Sequence, residues 1–298
     1  MLTPEQAQRR QKALGGTDMA AICGKHPYRG PLDVYLDKTG KAPPVVENDG
    51  MIAGNIFESS ILHLYAIQTN SSLTNCDTIL HAQHTFLIGH PDAIDQNGGV
   101  IEAKNMGPQA AFSCGWPNKF NFPPHYVIQL IHYCNLMNAP YGKLVIFIGG
   151  SITEVFHYER DRPLEEALVK AGVSFWNNHV LAKLPPKSND ISALRILWPV
   201  SEEKTKEADQ AVADMVTGLK TLKDEKKNID SQIDELEGKI ANYMEDSDTL
   251  LAPDGQKLVT WKSITSTVFD QKAFKESEID MYNKFKTTRE SRTFRICK

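Results

Sequence analysis

No run of apolar residues approaches the eighteen or so that a transmembrane helix needs, which argues against a membrane-spanning helix and a membrane partner. Cysteine is sparse. The five (Cys23, Cys76, Cys114, Cys134 and Cys297) are scattered and form no CxxC pair. That pattern excludes a disulfide framework and a zinc or iron–sulfur signature, and it fits a reducing, cytoplasmic location. The opening MLTPEQAQRRQKALGG has no apolar core segment, so no secretory signal is expected. There is no glycine-rich phosphate loop, no Ser-His-Asp signature and no HExxH, so no motif supports an enzyme of those classes. An excess of basic charge is missing too: 33 Lys and Arg against 37 Asp and Glu give a net charge of −4. Any contact with a polyanion would have to be local. Apolar residues are not lacking. At 41% apolar and 23% charged over 298 residues, the chain is ordinary globular material with enough for a sizeable core.

Split along the chain, the charge separates three regions. Residues 1–200 carry 16 basic and 17 acidic side chains, residues 201–245 carry 7 and 12, and residues 246–298 carry 10 and 8. The first region reads as mixed α/β. Short helices are expected at 17–23 and 31–39, and a longer one at 55–68, with strand-like stretches in 76–90 and a strand at 99–104. A long loop is expected over 107–124, with its four prolines and two glycines. Beyond it lie a helix at 125–137, a hairpin formed by 143–149 and 152–158, and a helix at 164–184 stopped by Pro185-Pro186. The second region carries Ala208, Val212, Met215, Leu219, Leu222, Ile229, Ile233, Leu236, Ile240 and Tyr243 on a ladder of alternating four and three, interrupted only by Lys226. Five heptads of this kind predict a coiled-coil-like long helix or helical hairpin. The plainer expectation is that its apolar face covers its own domain; the other is an oligomer or partner contact. In the third region, a hairpin is expected at 250–262, a helix at 268–287 and a strand at 292–297. The basic stretch 284–298 is either a solvated face or a DNA contact.

Chemistry concentrates in His90-Pro91-Asp92 and Glu102-Ala103-Lys104, with nine residues between them. In a strand, residues two apart share a face, so Glu102 and Lys104 project together while Ile101 and Ala103 face a core. A hairpin would return the Asp92 carboxylate beside Glu102. Two carboxylates with the Ala103 carbonyl suit Mg²⁺, and Lys104 could orient a water or balance charge on a phosphate. The plain alternative is a surface hairpin with a Glu–Lys pair. Glu58 shares a helical face with Ile61, Leu62 and Tyr65, so it is either a partnered inward carboxylate or an edge residue reaching solvent. Gln129, in a largely apolar helix, also needs partners, or else it caps local backbone. Trp116 is expected in the core rather than in base stacking.

In order, Gly54-x-x-x-Glu58, Pro91-Asp92, Glu102-x-Lys104 and Tyr126-x-x-Gln129 resemble the PD-(D/E)xK nuclease core, and more narrowly the phage lambda exonuclease and YqaJ-like viral recombinase group. The resemblance spans roughly residues 8–180. It is strengthened by Arg10 and Leu14-Gly15-Gly16-Thr17-Asp18-Met19-Ala20, where the family has an arginine and a Ser/Thr that receive a DNA phosphate. Read without it, Thr17 is a helix N-cap and Arg10 a solvated arginine. The aromatic that often precedes this motif is absent, since 6–11 is polar apart from Ala7.

The resemblance implies an α/β (α+β) restriction-endonuclease-like core at 1–200, with a central mixed sheet flanked by helices. A coiled-coil-like segment at 201–245 and a small α/β extension at 246–298 would follow. It implies a Mg²⁺-dependent exonuclease, with Mn²⁺ able to substitute, that degrades one strand of linear double-stranded DNA from its end, 5′ to 3′. The 3′ tails would pass to a single-strand-annealing recombinase partner in phage-type recombination. Asp92, Glu102 and the Ala103 carbonyl would bind metal, with Glu58 as an outer or second-metal ligand. Lys104 would position the attacking water, Gln129 would hold Lys104 or that water, and Arg10 and Thr17 would hold the 5′ phosphate. A ring-shaped trimer in the cytoplasm of a phage-bearing bacterial host belongs to the same expectation. Its rivals are a structure-specific or restriction-type endonuclease of the same fold, and a non-catalytic DNA-end-binding or scaffold protein.

Overall fold

The computed structural model describes residues 9–288 and 290–297. The chain divides into two compact units, Met1–Trp198 and Pro199–Lys298. In the first, after a helical turn at 9–11, come α1 (Gly16–Ile22), α2 (Pro31–Lys38) and α3 (Asp49–Thr69). The strands β1 (Leu73–Thr74), β2 (Ile79–Leu80), β3 (Ile88–Gly89), β4 (Ala93–Asp95) and β5 (Val100–Met106) follow. Then come α4 (Pro108–Ser113), α5 (Pro124–Met137), β6 (Tyr141–Ile148), β7 (Ser151–Glu159), α6 (Arg162–Phe175) and α7 (Ile191–Leu197).

Five strands form one mixed sheet in the order β1-β4-β5-β6-β7, parallel between β5 and β6 and antiparallel elsewhere. The parallel pair requires a crossover, supplied by α5. That helix starts on Pro124, whose fixed φ suits a first turn, and it stops at Asn138 in the left-handed region (φ 52°). Strands β6 and β7 form the expected hairpin, but the turn is Gly149-Gly150, both at positive φ (60° and 101°), rather than Gly150-Ser151.

Period-two alternation along β5 separates two cores. Val100 and Met106, with Leu144, Ile146 and Ile148 of β6, pack into a large cluster with Leu130 and Tyr133 of α5 and Leu14 and Met19 of the N-terminal segment. Ile101 and Ala103, with Val145, pack on the other face against Ile61 and Tyr65 of α3.

Several expectations are corrected. The predicted loop 107–124 contains α4, opened by Pro108 at its first position and buried through Ala111. The helix predicted at 55–68 begins six residues earlier, because Asn48 accepts from the Met51 amide and caps it there. The 164–184 helix gives way after Phe175 to a wider π-type turn, Trp176–Leu181. Helix α7 was not foreseen; Asp190 caps it by accepting from the Ser192 and Ala193 amides. Trp116 packs against the large cluster, as expected.

The second unit opens with α8 (Gln210–Met244), one helix of 35 residues rather than a hairpin, capped by Asp209. Strands β8 (Thr249–Leu251) and β9 (Lys257–Thr260) form a small hairpin. Two short helices follow, α9 (Gln271–Ser277) and α10 (Ile279–Phe285), where a single one was expected. No strand forms over 292–297 among the described residues. The expectation that the ladder covers its own domain fails: Val212, Met215, Leu222, Ile229, Ile233, Leu236, Ile240 and Tyr243 are all exposed.

Candidate active site

Strand β5 sets the site. Its alternation sends Glu102 and Lys104 to the α5 face, and the antiparallel pairing Ala93↔Ile101 brings the residue preceding β4 back alongside. Asp92, just before β4, therefore falls opposite Glu102 in register, and its Oδ2 accepts from the Ala103 amide at 2.8 Å. In extended backbone the amide and carbonyl of one residue point to the same edge, so the Ala103 carbonyl also faces the side that Asp92 occupies.

Glu102 is fully buried. Its Oε1 accepts from Lys104 Nζ at 2.6 Å and from Gln129 Nε2 at 2.6 Å. Its Oε2 is buried with no partner. Burial pushes the Glu102 carboxyl upward, and the neighbouring Asp92 adds to this; Lys104 opposes it without prevailing. Burial likewise raises Asp92. Lys104 goes the other way. Burial disfavours its charge, but Glu102 and Asp92 outweigh burial and hold it as an ammonium. Its Nζ also sits 5.5 Å from the Tyr126 ring centroid, a cation–π distance. This differs from the expected role of Gln129: the amide holds Glu102, not Lys104. It also lies 3.1 Å from the Tyr133 hydroxyl.

A cleft of about 600 Å³ opens over these groups and also takes in Arg9, Arg10, Glu58 and His90. Helix α3 packs Ile61 and Tyr65 on the far face of the sheet, while Glu58, one turn earlier, reaches the cleft. Burial and then Asp92 raise its pKa. Among the described residues no three His, Cys, Asp or Glu side chains stand close enough to hold one ion together. Beyond burial, Asp92 raises the pKa of both Glu102 and Glu58, so the three carboxylates share one electrostatic environment.

The N-terminal motif acts through packing. A Cβ on Gly16 would lie 2.7 Å from Gln129 Cγ and 3.2 Å from Gln129 Cα, so only glycine lets α1 pass so close to α5. Asp18 accepts from the Gly15 amide at 3.0 Å and pairs with Lys38 at 2.8 Å and Arg29 at 3.4 Å. Burial opposes its charge, yet Lys38 and Arg29 hold its pKa below the usual range. Lys38 Nζ also donates to the Arg10 carbonyl at 2.8 Å, tying the turn that carries Arg9 and Arg10 to the cleft wall. Thr17 is half-buried and does not line the cleft, and the N-cap of α1 is Gly15, not Thr17. Sequence reasoning missed Arg9 and Tyr133. The pair Arg9-Arg10 was a signal for the first. Tyr133 lies four residues after Gln129, on the same helical face.

The chemistry fits a hard divalent cation. A buried carboxylate oxygen without a donor, a second carboxylate and a strand-edge carbonyl offer oxygen ligands, with room in the cleft for water and phosphate oxygens.

Residues 6–138 match the model of the YqaJ-like viral recombinase domain. YqaJ of Bacillus subtilis (strain 168) is 27% identical, covering 96% of this chain and 92% of the relative. The alkaline exonuclease LHK-Exo of Laribacter hongkongensis shares the fold with a TM-score of 0.53 at 18% identity, over 61% of this chain and 94% of that one. The same exonuclease in complex with dAMP gives 0.51 at 18% identity, over 60% and 92%.

Proposed function

We propose, from the match of residues 6–138 to the YqaJ-like viral recombinase domain, that the chain is a metal-dependent exonuclease acting on the ends of linear double-stranded DNA. The observation that carries the reading is Glu102, sealed from solvent with one oxygen unpartnered, beside Asp92 and Lys104 in a cleft rimmed by two arginines. The likeness in fold to an exonuclease solved with dAMP supports it.

In this reading Asp92, Glu102 and the Ala103 carbonyl hold Mg²⁺, or Mn²⁺ in its place, and Glu58 assists from the cleft wall. When bound, the ion polarises the phosphodiester and lowers the pKa of a water. Lys104, held as an ammonium, orients the attacking water and balances charge gathering on the phosphate, and it accepts no proton. Gln129 fixes the Glu102 carboxylate from α5. Arg10, joined by Arg9, binds the 5′ phosphate through a charge-assisted fork. Cleavage then runs 5′ to 3′ and leaves 3′ tails for a single-strand-annealing recombinase, in a phage or prophage setting in the bacterial cytoplasm. A ring-shaped trimer closed around the duplex would give processivity without a basic surface, in keeping with the net charge of −4.

The test is digestion of linear duplex DNA with and without a 5′ phosphate, beside the same plasmid as a closed circle, with and without Mg²⁺. Loss of the linear DNA alone, faster with the phosphate, supports the reading. Cutting of the circle makes the protein an endonuclease. No cutting of either, with DNA still bound, makes it an end-binding protein.

A further inference from the structure

Helix α8 (Gln210–Met244) carries nine apolar ladder residues and Lys226 at heptad spacing. Within its own unit, neither the small hairpin nor the two short helices packs along it. Met215 and Tyr243 are 70% and 78% exposed. Gly218 and Gly238 interrupt its interior, each costing helix propensity. A helix of this length gains most of its stability from a packed apolar face. We infer that α8 pairs with α8 of a second copy of this chain, as an antiparallel two-stranded coiled coil about an axis near residues 227–228.

Charge decides the occupant and the direction. The spacing places Val212, Leu219, Lys226, Ile233 and Ile240 at a positions, and Met215, Leu222, Ile229, Leu236 and Tyr243 at d positions. In a parallel pair, a faces a. Lys226 would meet the partner's Lys226, and Glu225 at g would meet the partner's Asp230 at e: like charges in both layers. In an antiparallel pair, a faces d and e faces e. Lys226 then lies against the partner's Ile229, Leu222 against its Ile233 and Leu219 against its Leu236. Lys223 at e meets the partner's Asp230, twice by symmetry. Asp230 is already 3.5 Å from Lys226 within the chain, so the charges around the axis alternate in sign. The area suffices as well. Nine apolar side chains, each hiding roughly 60–120 Å², reach the ~800 Å² per partner of a standard interface.

The test measures mass against concentration for the full chain by sedimentation, with helicity followed by circular dichroism. It does not depend on nuclease activity, so it fails or succeeds separately from the proposed function. Leu222→Glu should lower the assembly mass to that of whatever oligomer the first unit forms on its own. Lys223→Glu, which sets glutamate against the partner's Asp230 at two places, should raise the dissociation constant about tenfold. Adding Asp230→Lys should restore it, because both contacts are then reversed rather than broken. A chain that is monomeric throughout, or a mass unchanged by Leu222→Glu, overturns the inference. So does a tightening by Asp230→Lys alone, since that is the signature of a parallel pair relieved of its Glu225 contact.

Discussion

At the scale of single residues, the site depends on how Glu102 is surrounded. Two donors sit on one oxygen and none on the other, the pattern on which the proposed metal role rests. Lys104 spends its charge on that carboxylate and on the Tyr126 face. Lys104→Ala should leave DNA binding near wild type and lower cleavage by about three orders of magnitude, a loss of ~4 kcal/mol in the transition state. A filter-binding curve beside single-turnover cleavage separates the two effects, and unchanged cleavage would remove Lys104 from the mechanism. Gly16 tests the support behind the site. Gly16→Ala drives a methyl into Gln129, whose backbone on α5 cannot yield cheaply. Overpacking of this kind costs about 1–3 kcal/mol, so the melting temperature should fall, and with it the hold of Gln129 on Glu102. A variant with unchanged melting and unchanged cleavage would show that α1 and α5 can part without consequence.

At the scale of elements, α5 does two jobs: it bridges the parallel strands and points Gln129 at the site. Its buried His132 lies 2.9 Å from the Ile88 carbonyl, which can only accept, so Nε2 carries the hydrogen. Burial lowers this imidazole from 6.5 to about 4. In the unfolded chain it protonates near 6.5, in the folded chain only near 4, so the unfolded state holds more protons between those values. The contribution is complete above pH 6.5 and is lost as the pH falls to about 4; it amounts to as much as ~3 kcal/mol. His132→Phe should be less stable at pH 7.5, with the Ile88 carbonyl left unpaired, yet show a shallower decline in denaturant midpoint from pH 6.5 to 4.5. An equal slope in both proteins would clear His132 of that role.

The same elements explain what the sequence made legible. Strand β5 and its partner residue were readable because period two and a turn are local signals, and they placed Asp92 beside Glu102. Helix α5 was readable from its apolar run, although Pro124, its first residue, was read as the end of the loop. The Asp18–Lys38–Arg10 tie was not. It joins residues 20 and 28 apart, and nothing in a charge pattern says which lysine a buried aspartate will meet. Helix α4 was hidden for a related reason: a segment rich in proline and glycine reads as loop, while Pro108 in fact starts a helix. The open face of α8 could not be read either, since a heptad pattern reports that a face is apolar and not what lies against it.

At the scale of the whole molecule, the cleft and the long helix belong to different units. Among the described residues, those that line the cleft all precede Trp198 and so belong to the first unit. The segment between α7 and α8 is exposed and without regular structure over residues 201–208. Such a segment is where a protease enters first. Limited trypsin digestion should therefore cut at Lys204 or Lys206 before it cuts the sheet. The fragment ending at Lys204 or Lys206 has its own core on both faces of the sheet, so it should remain folded. If the cleft alone makes the chemistry, that fragment should keep Mg²⁺-dependent cleavage of linear duplex DNA within about tenfold of the full chain. It should lose the twofold association that α8 provides. Loss of cleavage in a fragment that still melts cooperatively would mean that the second unit supplies part of the DNA-binding surface, and the basic stretch 284–298 would be the first place to look for it.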